Sequence, residues 1–215
     1  MQNLNISKKI VIIDYKMSNL FSVVRACQKV GFNPIITNKA KVIKNADAII
    51  LPGVGAFNSA MKNLINLELV EPIISHVRSG KPIMGVCLGM QLLFEKSEEF
   101  GNHFGLGLIK GEVVKFLKTS NLYKVPQIGW NSIKLVNNEE NTGFFKGISK
   151  INHMYFVHSF YVIPANKKVI YSTSKYNDIE YCSSILKDNI FATQFHPEKS
   201  GELGLLIYKN WFNKI

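Results

Sequence analysis

Four short apolar runs in the first 86 residues most constrain how this chain can fold. "KIVIIDY" (residues 9–15), "NPIIT" (33–37), "ADAIILPG" (46–53) and "KPIMGV" (81–86) are rich in β-branched residues. The first, third and fourth have no polar alternation, as in strands buried on both faces. The stretches between them carry helical spacing instead. In "SNLFSVVRACQKVG" (18–31), Leu20, Val23, Val24, Cys27 and Val30 fall on one helical face. Ser18 is expected to cap that helix and Gly31 to end it. "FNSAMKNLINLELVEPIISHVRSG" (57–80) reads as helix, break at Pro72, helix, and "LGMQLLFEKS" (88–97) opens another. Strands alternating with helices imply a parallel sheet covered by helices on both faces, with ligands bound beyond the carboxyl ends of the strands.

After residue 105 the pattern changes. Six strand-like segments rich in Tyr, Phe, Val and Ile run from "GLIKGEVVKFL" to "IFATQFH", joined by turns. They predict a mixed or antiparallel extension of the same sheet. The tail "SGELGLLIYKNWFNKI" reads as a closing helix whose buried stripe is Leu203, Leu206, Ile207 and Trp211. With no linker and no repeat, the expected fold is α/β: one domain over residues 1–215, an open, mostly parallel sheet flanked by helices, with residues 1–8 as a polar lead-in.

Composition narrows the function classes. The chain has 215 residues, 47% of them apolar, enough for one domain with its own core. No stretch reaches the ~18 uninterrupted apolar residues of a membrane span, and "MQNLNISKKI" lacks a signal-peptide core. A cytoplasmic protein without membrane contact is expected. The net charge is +11, yet only Arg25 and Arg78 are arginines and the lysines are scattered. Base readout favours arginine's planar fork, so nucleic acid is not the expected partner. Cys27, Cys87 and Cys182 are too few and too far apart for a disulfide framework or a Cys-x-x-Cys metal site, so no metal is expected.

Cys87 stands apart, because "GVCLG" (85–89) places it where a strand turns at once into a helix. Such a residue takes a strained backbone conformation and lifts its side chain above the sheet, as serine does in the Gly-x-Ser-x-Gly elbow of hydrolases. The flanking glycines allow close backbone approach, the following helix N-terminus suits a thiolate, and the Leu88 N–H is available to an oxyanion. A nucleophilic thiolate needs a base. His76, His103 and His153 read as solvated surface or loop histidines, and His158, in "MYFVHSFYV", as a satisfied strand histidine. His196, in "ATQFHPEKSG", follows a strand and precedes a helix, with Glu198 two residues on. Cys87, His196 and Glu198 are then nucleophile, base and the acid that orients the base. "LPGVGAF" (51–57) lacks the lysine of a phosphate loop and fits an oxyanion hole instead.

Together "PGVGAF", "GVCLGMQLLFE", "PQIGWN", "YFVHSFY" and "ATQFHPEKS" resemble the class I (triad) glutamine amidotransferases, from about Ile10 to the C-terminus. Within that family they are most similar to the glutaminase subunits of imidazole glycerol phosphate synthase. The resemblance implies that Cys87 attacks the amide of glutamine to form a thioester. His196 moves the protons and Glu198 orients His196. The oxyanion would sit between the Leu88 N–H and a loop N–H at Val54 or Gly55, where a peptide flip precedes donation. Gln91 and Glu99 would hold the head group of glutamine, aided by the backbone of Ser159 and Phe160. The implied partner is a (β/α)₈ cyclase subunit in a heterodimer that receives ammonia and makes imidazole glycerol phosphate and an aminoimidazole carboxamide ribotide. Lys199, Trp130, Asn131 and Asn19 match positions near that interface, and no cofactor is implied. One loop departs from the family pattern Asp-Tyr-Gly-x-Gly-Asn: "DYKMSN" has Lys16 and Ser18 where glycines are expected. That departure keeps two alternatives open, a paralogue supplying ammonia to a surface-sugar amidotransferase and an inactive scaffolding subunit. A free-standing cysteine hydrolase is a third.

Overall fold

The computed structural model describes residues 8–117, 124–136, 143–149 and 151–215. Apart from Lys8, the polar lead-in lies outside them. The strands of the first half are β1 (Ile10–Ile13), β2 (Ile35–Thr37), β3 (Ala48–Leu51) and β4 (Ile83–Val86). With β13 (Ile190–Thr193) they form a parallel array in the order β2-β1-β3-β4-β13. β1, β3, β4 and β13 are buried along their whole length. Alternate residues of a strand face opposite sides, so a fully apolar strand feeds two cores. Val11, Ile13, Ile49 and Leu51 pack under α3 (Phe57–Asn66) and α4 (Val70–Arg78). Ile10, Ile12, Ile50 and Met84 pack against α1 (Leu20–Lys29) and the C-terminal helix α6 (Gly201–Phe212). Two short helices complete this half, α2 (Ala40–Lys44) and α5 (Leu88–Leu92).

The second half extends the sheet as expected. β5 (Phe94–Ser97), β6 (His103–Phe104), β7 (Ile109–Lys115), β8 (Gln127–Leu135), β9 (Ile151–His158), β10 (Phe160–Pro164), β11 (Ile170–Tyr176) and β12 (Ile179–Lys187) pair mostly antiparallel. The junction is β12, antiparallel to β13 on one side and to β10 on the other. β11 also pairs with β12, and carries β8 and β9 off the main path.

Four local expectations are corrected. The break between α3 and α4 falls at residues 67–69, where Glu68 takes φ 55°, and not at Pro72. Pro72 sits in the first turn of α4, where a missing N–H costs nothing. Asn19 caps α1, its Oδ1 accepting from the Ser22 N–H at 3.4 Å, in place of Ser18. "FEKS" is strand β5, parallel to β7, because α5 ends after five residues. The buried stripe of α6 is Ile207, Tyr208, Trp211 and Phe212, while Leu203 and Leu206 are only half-buried.

Candidate active site

β4 delivers Cys87 to the carboxyl rim of the parallel array. The Cys87 N–H continues the β4–β13 ladder, donating to the Thr193 carbonyl at 2.7 Å. The chain then reverses into α5 with Cys87 at φ 53°, ψ −110°. A non-glycine residue in this region costs about 1–3 kcal/mol and persists only where its surroundings enforce it. The two glycines provide the enforcement. A Cβ on Gly89 would lie 1.7 Å from the Leu51 carbonyl oxygen, and one on Gly85 would lie 3.0 Å from the Ala192 Cβ. α5 therefore seats directly on β3, and "GVCLG" is the sequence of a tight strand-to-helix elbow. The short α5 has only a weak dipole, so the N–H groups of its first turn are its main contribution.

His196 follows β13 and begins the turn of Pro197–Lys199. Its N–H donates to the Tyr155 carbonyl, and its own carbonyl accepts from the Ser200 hydroxyl at 2.7 Å. The same Ser200 hydroxyl accepts from the Tyr155 N–H, so β9 and α6 clamp the turn. His196 Nδ1–H donates to Glu198 Oε1 at 2.8 Å, with both side chains almost fully buried. This bond fixes the tautomer and leaves Nε2 unengaged among the described residues. Burial opposes the imidazolium, but the Cys87 thiolate and the Glu198 carboxylate outweigh it and push His196 up to about 10. The site therefore favours the imidazolium form of His196.

A cavity of about 340 Å³ opens over Cys87, lined by Val54, Leu88, Gln91, Glu99, Ser159 and Phe160 among others. Every residue expected to touch glutamine or the oxyanion meets here. Gln91 is buried, and its Nε2 donates to the Phe160 carbonyl at 3.0 Å and to Gln194 Oε1 at 3.1 Å. Glu99 is half-buried, and burial raises its pKa. Its Oε2 accepts from the Phe57 N–H at 2.6 Å, so Glu99 also caps α3. The Val54 N–H does not face Cys87, since it donates to the Met17 carbonyl at 2.8 Å. Lys16 adopts φ 66°, the left-handed region that glycine prefers. Its N–H bonds Asp14 Oδ1 at 3.0 Å, which braces the turn.

Outside the cavity, Trp130 is 58% exposed and stands edge-on to Tyr155, and Lys199 lies over the Tyr155 ring. Asn19 is exposed as the cap of α1. The side chain of Asn131 is engaged internally, with the Lys175 carbonyl and the Ser132 N–H. His103 is half-buried and His153 exposed, each on a strand and not in a loop. His76 is buried and donates from Nε2 to the Pro82 carbonyl, which corrects its reading as a surface residue. His158 is satisfied only at Nδ1, which donates to the Phe160 carbonyl at 2.8 Å, while its buried Nε2 has no partner among the described residues.

Two residues escaped the sequence reading. Gln194 Nε2 reaches Cys87 Sγ at 3.7 Å, linking Gln91 to Cys87. Its place two residues before His196 on the same rim was the available signal. The Tyr15 hydroxyl donates to the Pro52 carbonyl at 2.7 Å and fills the space above Gly53, pinning the "PGVG" loop to β1.

The profile of the family "Glutamine amidotransferase class-I" matches residues 11–215. Among curated proteins, the imidazole glycerol phosphate synthase subunit HisH of Caldanaerobacter subterraneus is 50% identical over 204 residues, covering 95% of this chain and 97% of its own. The subunit of the same name from Syntrophotalea carbinolica is 46% identical over 206 residues, covering 94% and 98%. Among solved structures, PurLQS from Thermotoga maritima superposes with a TM-score of 0.73 at 19% identity, covering 97% of this chain and 99% of that one. A structure described as a glutamine amidotransferase gives 0.72 at 14%, covering 95% and 99%.

Proposed function

The chain belongs to the class I glutamine amidotransferase family, and on that premise we propose that it is the glutaminase subunit of an imidazole glycerol phosphate synthase. The observation that carries the chemistry is a strained Cys87 facing a cavity, next to a buried His196 already bonded to Glu198. The observation that supports the pathway is the likeness of 46% and 50%, over nearly full length, to subunits of that name.

In this reading Cys87 Sγ attacks the side-chain carbonyl carbon of glutamine. The oxyanion takes the Leu88 N–H and, once the Val54 peptide lets go of the Met17 carbonyl, an N–H of the 53–55 loop. Imidazolium His196 gives its proton to the departing nitrogen; the C–N bond breaks, releasing ammonia and leaving an S-acyl Cys87. Neutral His196 then takes a proton from water, whose oxygen attacks the thioester and releases glutamate. Glu198 holds the imidazole through both steps. Gln91, Glu99 and the backbone at Ser159 and Phe160 hold the substrate's head group. The chain acts as one domain in the cytoplasm, in a heterodimer with a (β/α)₈ cyclase subunit. Its ammonia is channelled to the lyase reaction of that partner. Trp130, Lys199, Asn19 and Asn131 lie at the docking face, and the exposure of the first three supports this placement.

Replacement of Cys87 by Ala tests the assignment. It is expected to abolish glutamate release by the complex while leaving cyclase binding intact. Retained hydrolysis contradicts the mechanism, and a wild-type chain inactive with every partner favours a scaffold.

A further inference from the structure

The carboxylate of Glu198 is only half accounted for. Its Oε1 accepts from His196, but Oε2 is buried and has no hydrogen-bond donor among the described residues. A buried carboxylate oxygen without a donor is costly, and structures rarely leave one so. A complementary deficit lies on α6, the helix that follows the turn. Tyr208 is fully buried on α6, and its hydroxyl has no acceptor among the described residues.

The helix geometry sets Tyr208 one turn from the point where α6 meets the turn that carries Glu198. Residues four apart share a helical face, so Tyr208 lies one turn along from Gly204. Gly204 is the point where α6 presses on the turn that carries Glu198, since a Cβ there would lie 1.9 Å from the Pro197 carbonyl oxygen. Burial, together with the charges of Glu198 and Cys27, holds the Tyr208 phenol well above its ordinary pKa, so it is a neutral O–H donor throughout the working range.

We propose that Tyr208 is a positioning residue for Glu198: its phenol supplies, through one buried water, the donor that Oε2 lacks. The proposal rests on the glutaminase reading and assigns the C-terminal helix a role in it. The donor stabilises the ionised carboxylate and fixes its plane, and thereby the direction in which His196 Nε2 points.

Glutamate release by the complex with the cyclase subunit, measured from pH 5 to 9 for the wild type and Tyr208→Phe, tests the idea. Other groups also face Glu198: Cys27, Arg25 and Lys29 from α1, and Glu202 from α6. His196 and Lys199 adjoin it on its own turn. These are unchanged in the variant. If Tyr208 is only a core spacer, deleting an unpaired hydroxyl leaves activity unchanged and melting unchanged or higher. If it positions Glu198, kcat falls about tenfold, the order set by loss of one hydrogen bond to a charged group. KM for glutamine stays the same, and the acidic limb of the profile moves to higher pH. A lowered melting point is resolved by a cycle with Glu198→Gln, in which Tyr208→Phe has no further effect on kcat. Superimposable pH profiles, or an equal loss in the Glu198→Gln background, overturn the proposal. A wild type that releases no glutamate at any pH fails the glutaminase reading first, and the proposal falls with it.

Discussion

At residue 87 the backbone holds a left-handed conformation that a β-carbon disfavours, and the two neighbouring glycines make it tolerable. Gly89→Ala places a methyl group inside the Leu51 carbonyl and is expected to destabilise the chain by about 3 kcal/mol. Activity would fall further than stability, because the elbow that aims Cys87 must open. Paired denaturant titrations and glutaminase assays check both. A variant as stable and as active as the wild type refutes the elbow. This part of the site was legible because glycine spacing around a cysteine has few physical explanations. Gln194 and Tyr15 were not legible. Tyr15 acts through a hydrogen bond to a partner 37 positions away, and Gln194 through two, to partners 103 and 107 positions away, so neither role shows in a local run of sequence.

At the scale of elements, α6 and the turn of Pro197–Lys199 form one unit, clamped by Ser200 and by contact at Gly204. Gly204→Ala should push the helix off the turn. The expected loss is about 1–3 kcal/mol in urea unfolding, together with a lower kcat at unchanged KM. An unchanged kcat would show that the turn is held by Tyr155 alone. Strands and helices with long periodic patterns were read correctly from the sequence, and the misses are junctions. "LLF" is apolar enough for either a helix or a strand, and the pairing of β5 with β7 decides it. Pro72 fits a first turn as readily as a break, and the left-handed Glu68 is what ends α3. His76 is buried on the same face of α4 as Ile73 and Val77, with its Nε2 bonded to the Pro82 carbonyl.

Across the whole molecule, two of the three buried histidines, His76 and His158, lower stability in acid. Burial pushes His158 down to about 4 and lowers His76 also. Both are neutral when folded and take up a proton when unfolded near pH 6.5. Their contribution is intact above about pH 6.5 and is lost as pH falls toward 4, by about 3 kcal/mol for His158. Urea unfolding across that window should show the decline, and His158→Gln should flatten it; parallel curves would refute the assignment. The parallel half sets the rim, and the antiparallel half supplies Ser159, Phe160 and the exposed Trp130 beside it. On the same rim the Val54 N–H is bonded to the Met17 carbonyl, so in this conformation it is not free to donate to an oxyanion over Cys87. Restoring that donor on docking would make turnover depend on a partner. The direct measurement is glutamate release from glutamine, with the cyclase subunit and its ribonucleotide substrate each added or withheld. The account predicts strong stimulation when both are present and little release by the chain alone. Equal rates in all four conditions would contradict it.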